Sequence, residues 1–90
     1  MKVCVQGLWH LGSVTAGCLA SLGHDVTGLD FDDQTIVNFE QGILPVDEPG
    51  LSALIEDGIT KGNLRFTGKV KDAVSGAQVL WITYDTPVDD

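Results

Sequence analysis

Gly7, Gly12 and Asp30 have the residue types and spacing to hold a phosphate-bearing nucleotide. The stretch Gly7-Leu8-Trp9-His10-Leu11-Gly12 follows directly on a short apolar run. A dinucleotide loop reads Gly-x-Gly-x-x-Gly. Its first glycine makes a tight turn, its second lets the backbone approach a pyrophosphate, and its third lets a helix pack closely on a strand. Gly7 and Gly12 supply the first and third functions, and Trp9 stands at the second. If that position needs a positive φ, tryptophan is costly there. If it does not, backbone N–H groups from Trp9 through His10 to Leu11 can still face a phosphate, with the indole turned aside or laid across the ligand. An acid ~20 positions beyond such a loop binds the adenosine ribose hydroxyls. Asp30, which closes "DVTGLD", stands near that distance and favours NAD over NADP, because a carboxylate repels a 2′-phosphate. Spacing alone leaves two alternatives: a cofactor site, or a look-alike in which Trp9 fills the cleft or a core pocket.

These residues need a frame. "KVCVQ" (2–6) suits a buried parallel strand. Leu11, Val14, Thr15, Cys18 and Leu22 recur at helical spacing, Ala16, Gly17 and Ala20 permit close packing on a sheet, and Gly23 ends the helix. Residues 25–30 form a second strand. Asp32 or Asp33 caps a helix to about Gln41, and a proline-stiffened loop spans 43–50. A helix (51–62), a strand (64–67), a short helix with its connections (68–76) and a strand (77–83) follow, with Trp81 expected in the core. The alternation implies an α/β fold, a Rossmann-like three-layer parallel sheet of four strands in the order 3-2-1-4. A complete domain of this kind uses six strands. Residues 1–90 are thus expected to be the N-terminal part of a dinucleotide-binding domain, a fragment of a longer chain. The fourth strand, from Gln78 to Thr83, would be an apolar edge that invites self-association.

Composition excludes several functions. A net charge of −8, from 13 acidic and 5 basic residues, argues against nucleic acid and against an anionic membrane surface. It does not exclude a phosphate-bearing cofactor, because a helix start binds phosphate through backbone N–H groups. Hydrophobic residues make up 43% of the chain, too many for a disordered one. No apolar run approaches the ~20 residues of a membrane span, and no signal-peptide pattern opens the chain. Cys4 and Cys18 lack zinc spacing and are expected to be buried thiols in a reducing, cytoplasmic compartment; no metal site is expected.

Four stretches together carry a family resemblance: "GLWHLG" (7–12), "GHDVTGLDFD" (23–32), "GILPVDEPGL" (42–51) and "TYDTPVD" (83–89). Over its whole length the chain resembles the N-terminal part of the UDP-glucose and GDP-mannose 6-dehydrogenases. The Glu-Pro-Gly-Leu stretch argues against 6-phosphogluconate or hydroxyacyl dehydrogenases, which share the N-terminal layout. The resemblance implies NAD as cofactor. It places Gly7, the backbone of Trp9, His10 and Leu11, and Gly12 along the pyrophosphate, and Asp30 at the adenosine ribose. Thr83 and Thr86 fall where the fourth strand's end meets the cofactor, and the Glu48-Pro49-Gly50 loop near the sheet's binding edge. A full-length relative oxidises a nucleotide-sugar C6 alcohol to the carboxylate with two NAD+ per turnover, through a cysteine nucleophile beyond this region. No catalytic residue is therefore expected within the chain. Trp9, Thr35 (in place of a lysine) and Asp85 (in place of a glycine) depart from the family pattern, each in a direction that lowers cofactor affinity. The alternative is a non-catalytic Rossmann-type nucleotide-binding or regulatory module.

Overall fold

The computed structural model describes residues 1–44 and 50–83. Eight elements follow the expected order: β1 Lys2–Gln6, α1 His10–Ser21, β2 Asp25–Leu29, α2 Asp33–Glu40, α3 Leu51–Lys61, β3 Leu64–Thr67, α4 Val70–Val74 and β4 Val79–Ile82. They build one parallel sheet in the order β3-β2-β1-β4.

The central strands β1 and β2 are covered on both faces, and they read accordingly. In β1, Val3 and Val5 join the larger core with Val26, Leu64, Ile36, Phe39, Leu51 and Ile55, while Cys4 faces the other way and packs with Leu29 and Ala73 of α4. A strand with a core on each face must be apolar almost throughout. Phe39 and Phe66 meet with ring centroids 4.7 Å apart. Burying a phenylalanine is worth ~1.5–3 kcal/mol, so this pair fastens α2 to β3. Asp32 caps α2 by accepting from the Gln34 backbone N–H at 3.1 Å. Gly23 ends α1 at φ +97, and the flanking amides close it: Gly23 N–H donates to Ala20 O and His24 N–H to Leu19 O.

Three expectations need correction. The stripe Leu11, Cys18 and Leu22 is not the buried face of α1, since Leu11 and Leu22 are exposed and so is Cys18. Val14 and Thr15 of that stripe are half-buried, and the helix packs through its small residues, as Ala16, Gly17 and Ala20 predict: Gly12, Ser13, Ala16, Gly17 and Ala20 are buried. Helix α3 crosses that small-residue face closely: a methyl on Gly17 would sit 3.2 Å from the Leu51 Cδ1 atom. Cys18 is consequently a surface thiol, and only Cys4 is buried. Burial pushes the Cys4 thiol above its ordinary pKa by disfavouring the thiolate. Trp81 is 47% exposed rather than in the core, and all four residues of β4 are exposed. Among the described residues β4 is an edge of the sheet, and unlike the other edge, β3, which α2 and α3 cover, it packs chiefly on β1.

Candidate dinucleotide-binding site

Parallel register brings the site together. Gln6 is level with Leu29 on one side and Ile82 on the other. The next residue of each strand, Gly7, Asp30 and Thr83, therefore leaves the sheet side by side at its carboxyl end. The chain path reverses direction across β1, with β2 on one side and β4 on the other. Ligands of open α/β sheets bind at such a switch point.

Gly7 turns the chain at φ +93, and its N–H donates to Leu29 O at 2.9 Å. A side chain there would collide with the Thr83 carbonyl oxygen. Gly12 is constrained by contact rather than by dihedral angle: a Cβ would run into the Gly7 carbonyl oxygen and lie 2.8 Å from Thr83 Oγ1. The first turn of α1 thus rests directly on the glycine turn, the close helix–strand approach required of the third glycine.

Trp9 has φ −93 and ψ −144 and is the N-cap of α1. Its φ lies outside the left-handed region, so the middle position of this loop does not need glycine for its backbone. The indole is 55% exposed, neither in the core nor among the cleft-lining residues. The Trp9 carbonyl accepts from the Ser13 N–H at 3.0 Å and from the Ser13 hydroxyl at 2.6 Å, which fixes the loop on the helix. Ser13 is fully buried, and spacing gave no signal for it because a serine in a first helical turn is commonplace. The Trp9 side chain makes no cap bond to α1, whose first turn, which contains His10 and Leu11, includes no acidic residue. A helix start presents backbone N–H groups and the positive end of its dipole, the general setting for an anion.

Asp30 is half-buried at the end of β2. Its Oδ2 accepts from Leu8 N–H at 2.9 Å, and its Oδ1 from Asp32 N–H at 3.0 Å. Each carboxylate oxygen keeps lone-pair capacity for a further donor. Leu8 is buried and anchors the loop in the core, its side chain approaching Gly28. A cleft of about 130 Å³ opens between these groups, lined by Gln6, Gly7, Leu29, Asp30, Phe31 and Thr83. Phe31 is 64% exposed at its wall, an apolar surface that spacing did not single out. Thr35 is half-buried in α2. Glu48, Asp85 and Thr86 lie outside the described residues. Among the described residues no three His, Cys, Asp or Glu side chains gather as a metal site, and no helix is long and apolar enough to cross a membrane.

A glycine turn under a helix start, an acid closing the second strand, and a 3-2-1-4 parallel sheet define a Rossmann-type dinucleotide-binding domain. The chain belongs to the UDP-glucose/GDP-mannose dehydrogenase family, whose NAD-binding-domain model matches residues 1–90. It is 40% identical over 87 residues to the GDP-mannose 6-dehydrogenase of Pseudomonas putida, covering 97% of this chain and 20% of that protein. The UDP-glucose 6-dehydrogenase of Rhizobium meliloti is 37% identical over the same shares. Among solved structures, a GDP-mannose dehydrogenase from Pseudomonas aeruginosa in a ternary complex superposes with a TM-score of 0.91 at 39% identity, over 99% of this chain and 20% of that one. The chain thus spans about a fifth of the length of these relatives. The residues present fit NAD: a side chain has no room at Gly7 or Gly12, the first turn of α1 includes no acidic residue, and the Asp30 carboxylate at the end of β2 keeps acceptor capacity.

Proposed function

We propose that these residues are the N-terminal part of the NAD-binding domain of a nucleotide-sugar 6-dehydrogenase. On this reading the whole protein oxidises a sugar C6 alcohol to the carboxylate, and this part holds the cofactor. The relatives' names and their fivefold greater length support that reading. The observation that carries it is the level exit of Gly7, Asp30 and Thr83 from adjacent strands, with α1 starting directly above.

NAD supplies the hydride acceptor when bound; this chain's residues bind and orient it. Gly7, the backbone of Trp9, His10 and Leu11, and Gly12 run along the pyrophosphate. Asp30 accepts from the adenosine ribose hydroxyls with lone pairs not used by Leu8 and Asp32, and excludes a 2′-phosphate by charge. The cleft is smaller than the ~300–1,000 Å³ of complete ligand pockets. It therefore takes one portion of the dinucleotide, beside Asp30 and Phe31. Thr83 lines the cleft on the β4 side, and Thr86, outside the described residues, is assigned to the cofactor by the family resemblance alone.

The test is a titration of the Trp81→Phe chain with NAD+ and NADP+, following the emission of Trp9. NAD+ is expected to shift that emission saturably, with NADP+ at least tenfold weaker. A flat response at millimolar NAD+ contradicts the reading.

The two free thiols agree with a reducing cytoplasmic compartment. The 90-residue chain also carries an apolar edge strand, with Leu80, Trp81 and Ile82 each about half exposed. We infer that it self-associates through the strand between Gln78 and Thr83. Sedimentation velocity is expected to show a dimer that dissociates on dilution; a clean monomer at high concentration excludes it.

A further inference from the structure

The peptide joining Gly7 to Leu8 is held from both sides. Its N–H, on Leu8, donates to Asp30 Oδ2 at 2.9 Å. Its carbonyl, on Gly7, accepts from Thr83 Oγ1 at 2.7 Å. The C=O and N–H of a trans peptide point in opposite directions, so the two partners approach from opposite flanks. Asp30 stands at the end of β2 and Thr83 at the end of β4, the two strands that border β1. The Thr83 hydroxyl lies 3.1 Å from the Gln6 carbonyl as well, but it has one proton, and the shorter contact is to Gly7. The Thr83 backbone N–H already serves Gln6, at 2.9 Å.

We propose that Thr83 is a positioning residue whose hydroxyl, acting through the Gly7 carbonyl, sets the plane of the Gly7–Leu8 peptide and so aims the glycine loop at its ligand. The proposal rests on the NAD-binding reading and sharpens it: Thr83 acts on the loop rather than on the cofactor. A peptide at φ +93 has few local contacts to hold its plane, and glycine brings no side chain to restrict it. Without the hydroxyl, the Gly7 carbonyl loses its partner and the plane is held by Asp30 alone. The same carboxylate must then hold the loop and meet the ribose. With the hydroxyl present, the loop is preset and Asp30 keeps its spare lone pairs correctly directed.

The experiment is amide hydrogen exchange by NMR on the 90-residue chain, with NAD+ affinity measured in parallel, for Thr83→Val and Thr83→Ser. Valine keeps the branched shape and removes the hydroxyl, and serine keeps the hydroxyl. In Thr83→Val the Leu8 amide is expected to exchange about three- to tenfold faster and NAD+ to bind about three- to tenfold more weakly, the weight of one hydrogen bond. The Val26 amide, deep in β2, keeps its wild-type rate, and Thr83→Ser restores both readouts. An unchanged Leu8 rate in Thr83→Val overturns the proposal, as does a serine variant that behaves like valine. A weaker affinity with an unchanged Leu8 rate means that the hydroxyl touches the cofactor directly, which also overturns it. If the wild-type chain binds no NAD+, the cofactor reading fails, and the Leu8 exchange rate alone still decides whether Thr83 positions the loop.

Discussion

Gly12→Ala is expected to destabilise the chain by about 3 kcal/mol, at the upper end of overpacking costs. For a domain of this size that lowers Tm by roughly 12–24 °C. The added methyl meets the Gly7 carbonyl oxygen, a backbone atom rather than the movable end of a side chain. That carbonyl is fixed by Thr83, and the peptide behind it by Asp30. Relief therefore requires α1 to lift from β1, which opens the contact between the two elements that carry Ala16, Ala20, Val3 and Val5 into the core. A chain of 90 residues has about 5–13 kcal/mol of stability in all, so the loss is a large share of it. Ser52→Ala, exposed on α3, serves as the control and should change stability by less than ~0.5 kcal/mol. Thermal unfolding followed by circular dichroism reads both. A Gly12→Ala chain within 1 kcal/mol of wild type would mean that helix and turn are not in hard contact.

The second large effect is on the ligand. Asp30→Ala is expected to weaken NAD+ binding by roughly 30- to 150-fold, the weight of lost hydrogen bonds to a charged group. Two losses combine. The ribose hydroxyls lose their acceptor, and the Leu8 and Asp32 amides lose theirs, so the loop is no longer preset. The same change removes the carboxylate that repels a 2′-phosphate, and the preference for NAD+ over NADP+ should shrink. Asp30→Asn keeps one acceptor oxygen and should lie between wild type and alanine. Calorimetric titration of the three chains with both dinucleotides separates the parts. Equal affinities in wild type and Asp30→Ala contradict the assigned role.

Much of this was readable from the chain itself. "KVCVQ", an apolar run stopped by Gly7, reads as a buried parallel strand, and "DVTGLD", ending at Asp30, as a second short one. Gly7, Gly12 and Asp30 were recognisable because each answers a local geometric demand. The parts that could not be read depend on neighbours distant in sequence. Thr83 meets Gly7 across 76 positions, and no periodicity records such a contact. Ser13 became legible as a loop fastener only once Trp9 was seen to cap α1. In α1 the small residues Ala16, Gly17 and Ala20 mark the packing face, whereas Leu11, Cys18 and Leu22 recur at helical spacing and yet face outward. The apolar run around Trp81 predicts a core residue, but that run does not record whether a helix covers the strand, and β4 packs chiefly on β1. Trp9 shows the limit most plainly. The residue type alone left a costly backbone and a harmless one equally open, and φ −93 decides between them.

The most direct measurement is a two-dimensional amide NMR titration of the 90-residue chain with NAD+. Saturable shifts are expected at Gly7, Leu8, His10, Gly12 and Asp30, where β1, β2 and α1 meet. Lys2 and Asp25, which open β1 and β2 at the sheet's opposite end, should stay unmoved. Shifts that avoid the glycine turn, or no shifts at millimolar NAD+, would contradict a cofactor site at the carboxyl end of this sheet.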